Sequence, residues 1–148
     1  MNEQELRIGN WVFDDNETPM KVVRIDESRY GVWNCDGWGL DRRVVLQGSN
    51  GTDDYWESET VEPIPLYHPI LEKYRTAYFF VLENDRHFKI DENVLLRIVK
   101  QQFNSNVWIP VLVCEGNEIK LPPVEHLYQL QNLVFALSGK ELEINLSV

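Results

Sequence analysis

One helical pattern near the C-terminus constrains the fold of this chain more than any other feature. Over residues 124–138 the apolar residues fall on one broad arc of an α-helix, and Gly139 follows as a left-handed C-terminal cap. The arc consists of Leu127, Leu130, Leu133, Val134 and Leu137, extended by Val124, Tyr128 and Phe135. A helix with so wide an apolar face is predicted to pack across a sheet. Gln131 and His126 project within the arc and are expected to be partly buried and hydrogen-bonded.

The first half of the chain predicts a small β-module. Short apolar runs bounded by turn residues mark the strand candidates, which are residues 8–13, 20–25, 30–34, 43–46 and 55–61. Five short strands in so short a segment are typical of a small, strongly bent barrel of SH3-like type. Gly9 is suited to such a bend because a residue without Cβ lets the backbone change direction sharply.

The second half predicts a mostly antiparallel sheet beneath the terminal helix. A short helix over 68–74, with Pro69 at its first position, precedes a hairpin formed by 77–82 and 87–90. Residues 77–82 are apolar at every position, which predicts a central strand covered on both faces.

Two later segments complete this sheet. Residues 91–103 fit either a helix or a strand, and their β-branched content favours a strand. Strands at 107–114 and 118–121 flank Gly116-Asn117, a two-residue hairpin turn, and Pro110 points to an edge or a bulge. The fold class is therefore α+β.

The division between the halves is predicted near residue 66. The alternating prolines of VEPIPL at 61–66 impose an extended path. Residues 1–66 carry 14 acidic and 6 basic side chains, a net charge of −8, whereas residues 67–148 carry 10 and 8, a net charge of −2. We expect an acidic, Trp-rich module at 1–66 and an α+β module at 67–148.

Composition restricts the partners and the compartment. The net charge of −10 opposes the phosphate neutralisation on which nucleic-acid affinity depends, so direct nucleic-acid binding is disfavoured. The N-terminus shows no signal-peptide pattern, and no apolar run is long enough for a membrane span. Cys35 and Cys114 lie far apart, as expected for reduced thiols in a cytoplasm. Oligomeric state does not follow from these features.

Three phrases together resemble a known family. They are LRIGNWV at 6–12, VEPIPL at 61–66 and HLYQLQNLVFALSGKEL at 126–142, of which the third is the most specific. They are similar to short, uncharacterised proteins encoded by phages, prophages and mobile elements of anaerobic gut bacteria. The chain departs from that pattern at Val134 and Ser138, where an aromatic residue and a threonine are more usual. The resemblance implies a phage or mobile-element context and a cytoplasmic setting, and it carries over no catalytic residue.

Signals for catalysis and for bound metal are weak in this sequence. His68, His87 and His126 are not spaced to pair locally with each other or with a cysteine as a metal or nucleophile site. We therefore predict no catalytic residue, no metal and no cofactor.

An aromatic set in the acidic half is the one predicted binding feature. Aromatic side chains beside loops supply contact area at interfaces, although the same residues could fill the core of a small barrel. The set comprises Tyr30, Trp33, Trp38, Tyr55 and Trp56. Trp38 is the least core-like member because glycines flank it.

These features predict a non-catalytic accessory protein that binds an unknown protein partner. The alternative is an acidic inhibitor of a host enzyme. It would mimic the negative surface of nucleic acid, as the charge of the first 66 residues suggests. A hydrolase with an unrecognised site, such as Cys35 paired with a distant histidine, is the third possibility.

Overall fold

In the computed structural model, the described residues are 5–30, 39–48, 51–57, 60–71, 87–100, 107–142, 144 and 146. Antiparallel sheets and one C-terminal helix confirm the α+β class. The chain divides into two units, Met1–Ile64 with Asn145–Val148, and Pro65–Ile144. The predicted division into one module at 1–66 and another at 67–148 stays a prediction.

The first unit holds a five-stranded antiparallel sheet in the order β4-β3-β2-β1-β5. Its strands are β1 (Trp11–Phe13), β2 (Pro19–Tyr30), β3 (Gly39–Gln47), β4 (Asp53–Glu57) and β5 (Glu62–Pro63). The described strands form an open sheet with β4 and β5 at its two ends, so the predicted SH3-like closure is not found. β5 is a poor closing strand because it has two residues, and Pro63 has no N–H to donate.

The strand boundaries in this sheet differ from those predicted. The sequence predicts a polar break at 26–29 and a new strand from Tyr30, but β2 continues through this segment and ends at Tyr30. Pairing with β3 explains the difference, because residues 26–29 lie opposite 43–40 in an antiparallel ladder. Arg24 within β2 holds the carboxylate of Asp26, with 3.0 Å between Nε and Oδ1. Residues 31–34 lie outside the described part of the chain.

Gly9 makes the predicted bend. It has φ of 97°, its N–H donates to the carbonyl of Val22 at 2.8 Å, and the N–H of Val22 donates to the carbonyl of Asn10 at 2.8 Å. The side chain of Asn10 is fully buried, and its Oδ1 accepts the N–H of Arg7 at 2.8 Å. The regular strand β1 therefore begins only after the bend, at Trp11.

The second unit contains a four-stranded antiparallel sheet in the order β6-β7-β8-β9. The strands are β6 (His87–Asp91), β7 (Val94–Lys100), β8 (Trp108–Cys114) and β9 (Asn117–Lys120). Of the segment 91–103, which fitted both a helix and a strand, residues 94–100 form strand β7 and Asp91 ends β6, whereas 101–103 lie outside the described residues. The hairpin arm predicted at 77–82 lies outside the described residues, as does 72–74 of the predicted short helix, of which a 3-10 turn at Pro69–Leu71 is described.

Two details of the last hairpin correct the sequence expectations. The turn is Glu115-Gly116 rather than Gly116-Asn117, with φ of 50° and 83°, and Cys114 pairs with Asn117. Two positive φ values match the right-handed twist of a hairpin. Pro110 lies in β8 between β7 and β9, but it faces the end of the β9 ladder, where its carbonyl accepts the N–H of Leu121 at 2.9 Å. The missing N–H of Pro110 therefore removes no hydrogen bond between the paired residues of β8 and β9.

The terminal helix α1 spans Leu127–Ser138, three residues shorter at its start than predicted. Val124 is held by two backbone hydrogen bonds to Trp108, of 2.8 and 2.9 Å, and so cannot join the helix. Gly139 ends the helix at φ of 71°, as predicted, and its N–H donates to the carbonyl of Phe135 at 2.8 Å. Gln131 is 1% exposed, which confirms its burial, whereas Phe135 is 37% exposed and lies outside the buried face.

Candidate functional site

The predicted aromatic set is described only in part. Trp33 and Trp38 lie outside the described residues. The backbone of Tyr30 pairs with Gly39, and that of Tyr55 pairs with Val45. Trp56 is half-buried in β4, and its buried Nε1 has no hydrogen-bond partner among the described residues. The proposed contact between a partner and this set therefore stays a prediction.

A second candidate surface lies on the four-stranded sheet. Successive side chains of a strand point to opposite faces, and the pairing of β7 with β8 groups five aliphatic residues on one of them. We call this surface the aliphatic face; it consists of Leu95, Val99, Ile109, Val111 and Val113. Val99 is 37% exposed, Val111 is buried, and Leu95, Ile109 and Val113 are half-buried, so part of this apolar surface remains in contact with solvent.

The other face of the same strands is more completely buried. Leu96 is fully buried, Ile98 is buried, and Pro110, opposite Ile98, is buried as well. The sheet thus has one covered face and one partly open face, both apolar. An open apolar face on an antiparallel sheet is unusual because such a face is normally polar.

An ion pair crosses the aliphatic face. Arg97 lies opposite Val111, Glu118 lies opposite Val113, and the Nη2 of Arg97 is 3.2 Å from the Oε1 of Glu118. The arginine side chain therefore extends diagonally over β8 from β7 to β9. Its side chain is 23% exposed, whereas that of Glu118 is 54% exposed. The face therefore carries a largely covered guanidinium that is already paired with the carboxylate of Glu118.

Exposed carboxylates border one end of the aliphatic face. The turn between β6 and β7 and the turn between β8 and β9 lie at the same end of the sheet, since Val94 pairs with Cys114. We call this border the acidic turn end, and its exposed side chains are Glu92, Glu115 and Glu118. Asp91 lies opposite Val94 and therefore belongs to the other face of the sheet. The two hairpins thus place an apolar surface beside a row of negative groups.

His126 is a structural element at the start of α1. It is the N-cap residue, and the Oε1 of Gln129 accepts the N–H groups of Glu125 and His126 at 2.9 and 3.1 Å. Its ring stacks on that of Tyr128, with the centroids 6.1 Å apart. Burial lowers the pKa of His126, and the carboxylate of Glu125 opposes this effect. The predicted partial burial of His126 is confirmed, but its buried Nδ1 has no hydrogen-bond partner among the described residues, so the predicted hydrogen bonding is not found at that atom.

Histidine, cysteine and carboxylate side chains are scattered over the described part of the chain. There, no group of three or more histidine, cysteine or carboxylate side chains is arranged to hold a metal ion. Cys114 is a half-buried free thiol on β8. No described helix has both the length and the apolar character that a bilayer crossing requires.

Sequence reasoning did not single out the aliphatic face. The available signal is that both sets of alternate residues in β7 are apolar. One set contains Val94, Leu96 and Ile98, and the other contains Leu95 and Val99. This pattern predicts two apolar faces but does not show which one is covered.

Comparison of the chain with protein-family models, with curated proteins and with solved structures finds no match.

Proposed function

We propose that this chain is a non-catalytic protein-interaction module that binds a partner protein through the aliphatic face. The observation that supports the proposal is the partial exposure of Leu95, Val99, Ile109 and Val113 around the covered arginine. Contiguous exposed apolar surface is typical of interaction sites, and arginine is enriched at interface centres. The two hairpins place these residues on one face of a four-stranded sheet.

The charge at one end of this face supports a partner with a basic border. The acidic turn end lies next to Leu95 and Val113, and the chain as a whole carries −10. Complementary potentials accelerate encounter and fix the orientation of two proteins. We therefore expect the partner to present an apolar patch bordered by lysine or arginine, and we expect higher salt to slow its association.

The biological setting follows from the resemblance of residues 6–12, 61–66 and 126–142 to phage and mobile-element proteins. In this proposal the chain is an accessory protein that acts in the cytoplasm of a bacterial host. A nucleic-acid mimic remains the alternative, supported by the net charge of −8 on residues 1–66.

The test compares two substitutions at positions of equal exposure. Val99 on the aliphatic face and Phe135 on α1 are both 37% exposed, so Val99→Lys and Phe135→Lys place the same charge at comparable sites. A photocrosslinker at residue 99 should capture one host protein, and Val99→Lys should abolish its retention by the tagged chain. Phe135→Lys should retain it, and both variants should show similar thermal melts.

The same experiment separates this surface from the aromatic set. If Trp38→Ala abolishes capture while Val99→Lys has no effect, the partner binds the aromatic set and the aliphatic face is wrong. For the mimic, duplex DNA would compete with the chain for the captured protein. Competition that requires the residues of the first unit would favour the alternative.

A further inference from the structure

Strand β9 lies at one edge of the described four-stranded sheet. In the described sheet it pairs with β8 on one side and has no strand on the other, and all four of its residues are exposed. The N–H of Leu121 donates to Pro110 of β8, so the backbone groups of Leu121 and of Ile119, two residues earlier, point toward β8. Those of Glu118 and Lys120 therefore point away from the sheet. Such an edge is a template for a further strand.

The template is short. The next outward-facing position after Lys120 is Pro122, which has no N–H to donate. In the other direction the strand ends at Asn117, next to the turn. The edge therefore offers two consecutive outward-facing residues, Glu118 and Lys120, with opposite charges.

When two β9 strands pair antiparallel, only one register places opposite charges across from each other. A pair centred on Glu118 would place two glutamates opposite each other, and a pair centred on Lys120 would place two lysines opposite each other. Centring on Ile119 places Glu118 of each copy opposite Lys120 of the other. In that register both pairs have their backbone groups directed at the partner strand, which gives four N–H···O bonds.

The central residue also fits this arrangement. Ile119 is 53% exposed, and in this register it lies directly opposite Ile119 of the second copy, where facing side chains come into contact. A lysine on an edge strand ordinarily opposes association, but here a glutamate two residues away offsets it.

We propose that β9 pairs with β9 of a second copy of this chain, antiparallel and centred on Ile119, to join two four-stranded sheets into one of eight strands. A contact of this size is transient, below the area of a standard stable interface. The two-fold axis is perpendicular to the sheet, so the aliphatic faces of both copies lie on the same side. The proposal stands whether or not that face binds a partner.

The first measurement is backbone amide exchange of the full chain at two concentrations about 100-fold apart, since association depends on concentration. The N–H groups of Glu118 and Lys120 should become protected at the higher concentration. The N–H of Ile119, which already faces β8, serves as the internal control and should not change. Sedimentation under the same conditions should show a dimer that increases with concentration.

The second measurement uses charge reversal and mixing. Glu118→Lys and Lys120→Glu each bring like charges together in two symmetric pairs, and each should weaken the dimer about tenfold. An equimolar mixture of the two variants restores both opposite-charge pairs, so it should associate more strongly than either variant alone. Since Lys120→Glu leaves Arg97 paired with Glu118, its effect does not depend on that ion pair.

A chain that stays monomeric at both concentrations, with unchanged exchange at Glu118 and Lys120, would overturn the proposal. So would a dimer that neither charge reversal weakens, because it would form through another surface. Neither result bears on capture through Val99, so failure here is distinguishable from failure of the proposed function.

Discussion

The guanidinium of Arg97 and the carboxylate of Glu118 meet across an intervening strand, with 3.2 Å between Nη2 and Oε1. Because Glu118 is more than half exposed, the charge interaction itself should contribute little. The arginine stem, by contrast, extends over β8 beside the buried Val111. Its apolar atoms should stabilise the sheet more than its charge does.

Substitutions can separate these two contributions. Glu118→Gln should lower the free energy of unfolding by less than about 1 kcal/mol. Arg97→Ala should lower it by about 1–2 kcal/mol, and Arg97→Met, which retains most of the stem, should fall between them. Urea unfolding of the three variants measures this order. An equal loss for Glu118→Gln and Arg97→Ala would show that charge pairing is the larger effect.

The cap of α1 permits a test of backbone conformation alone. Gly139 has φ of 71°, and a Cβ added there would meet nothing within 4 Å. Gly139→Val should therefore cost about 1–2 kcal/mol through its positive φ and not through a clash. Gly139→Asn should cost less because asparagine tolerates this conformation. Equal losses for valine and asparagine in urea unfolding would contradict this explanation.

The same helix shows what the sequence could and could not establish. Its apolar arc and its glycine cap are local patterns, and both are found in the structure. Its first residue depends on a distant partner, since Trp108 holds Val124 in an extended conformation. A pattern within one segment contains no information about such a partner.

The candidate site was hidden for a related reason. The apolar residues at both parities of β7 were visible in the sequence, but exposure depends on which face the rest of the unit covers. The covered side has Leu96 and the open side has Val99. Likewise, β2 could be extended through 26–29 only once these residues were known to pair with β3.

A substitution in the turn between β8 and β9 should stabilise the chain. Glu115 has φ of 50°, which is costly for a residue with an extended side chain and less so for asparagine. Glu115→Asn should raise the free energy of unfolding by about 0.5–1 kcal/mol. Glu115→Gln removes the same charge without the conformational gain, and it should leave stability nearly unchanged. A similar gain for both variants in urea would assign the effect to charge.

The protonation of His126 should make the free energy of unfolding depend on pH. Burial lowers its pKa in the folded chain, so in the window between that value and about 6.5 the unfolded chain binds more protons than the folded chain. The free energy of unfolding should therefore decrease as pH falls through this window, and the penalty should be absent above the unfolded pKa. Glu125 acts against burial, so Glu125→Gln should lower the pKa of His126 further and steepen the decrease.

Two variants isolate the histidine from the other titrating groups. His126→Asn and His126→Ser both supply good N-cap residues that do not titrate in this range. Urea unfolding between about pH 5 and about pH 8 should show a shallower decrease for both variants than for the natural chain, and the two variants should agree. NMR titration of the His126 ring gives its pKa directly. If the natural chain and both variants share one pH profile, His126 does not contribute to it, and burial at the N-terminus of α1 has no energetic consequence for its protonation.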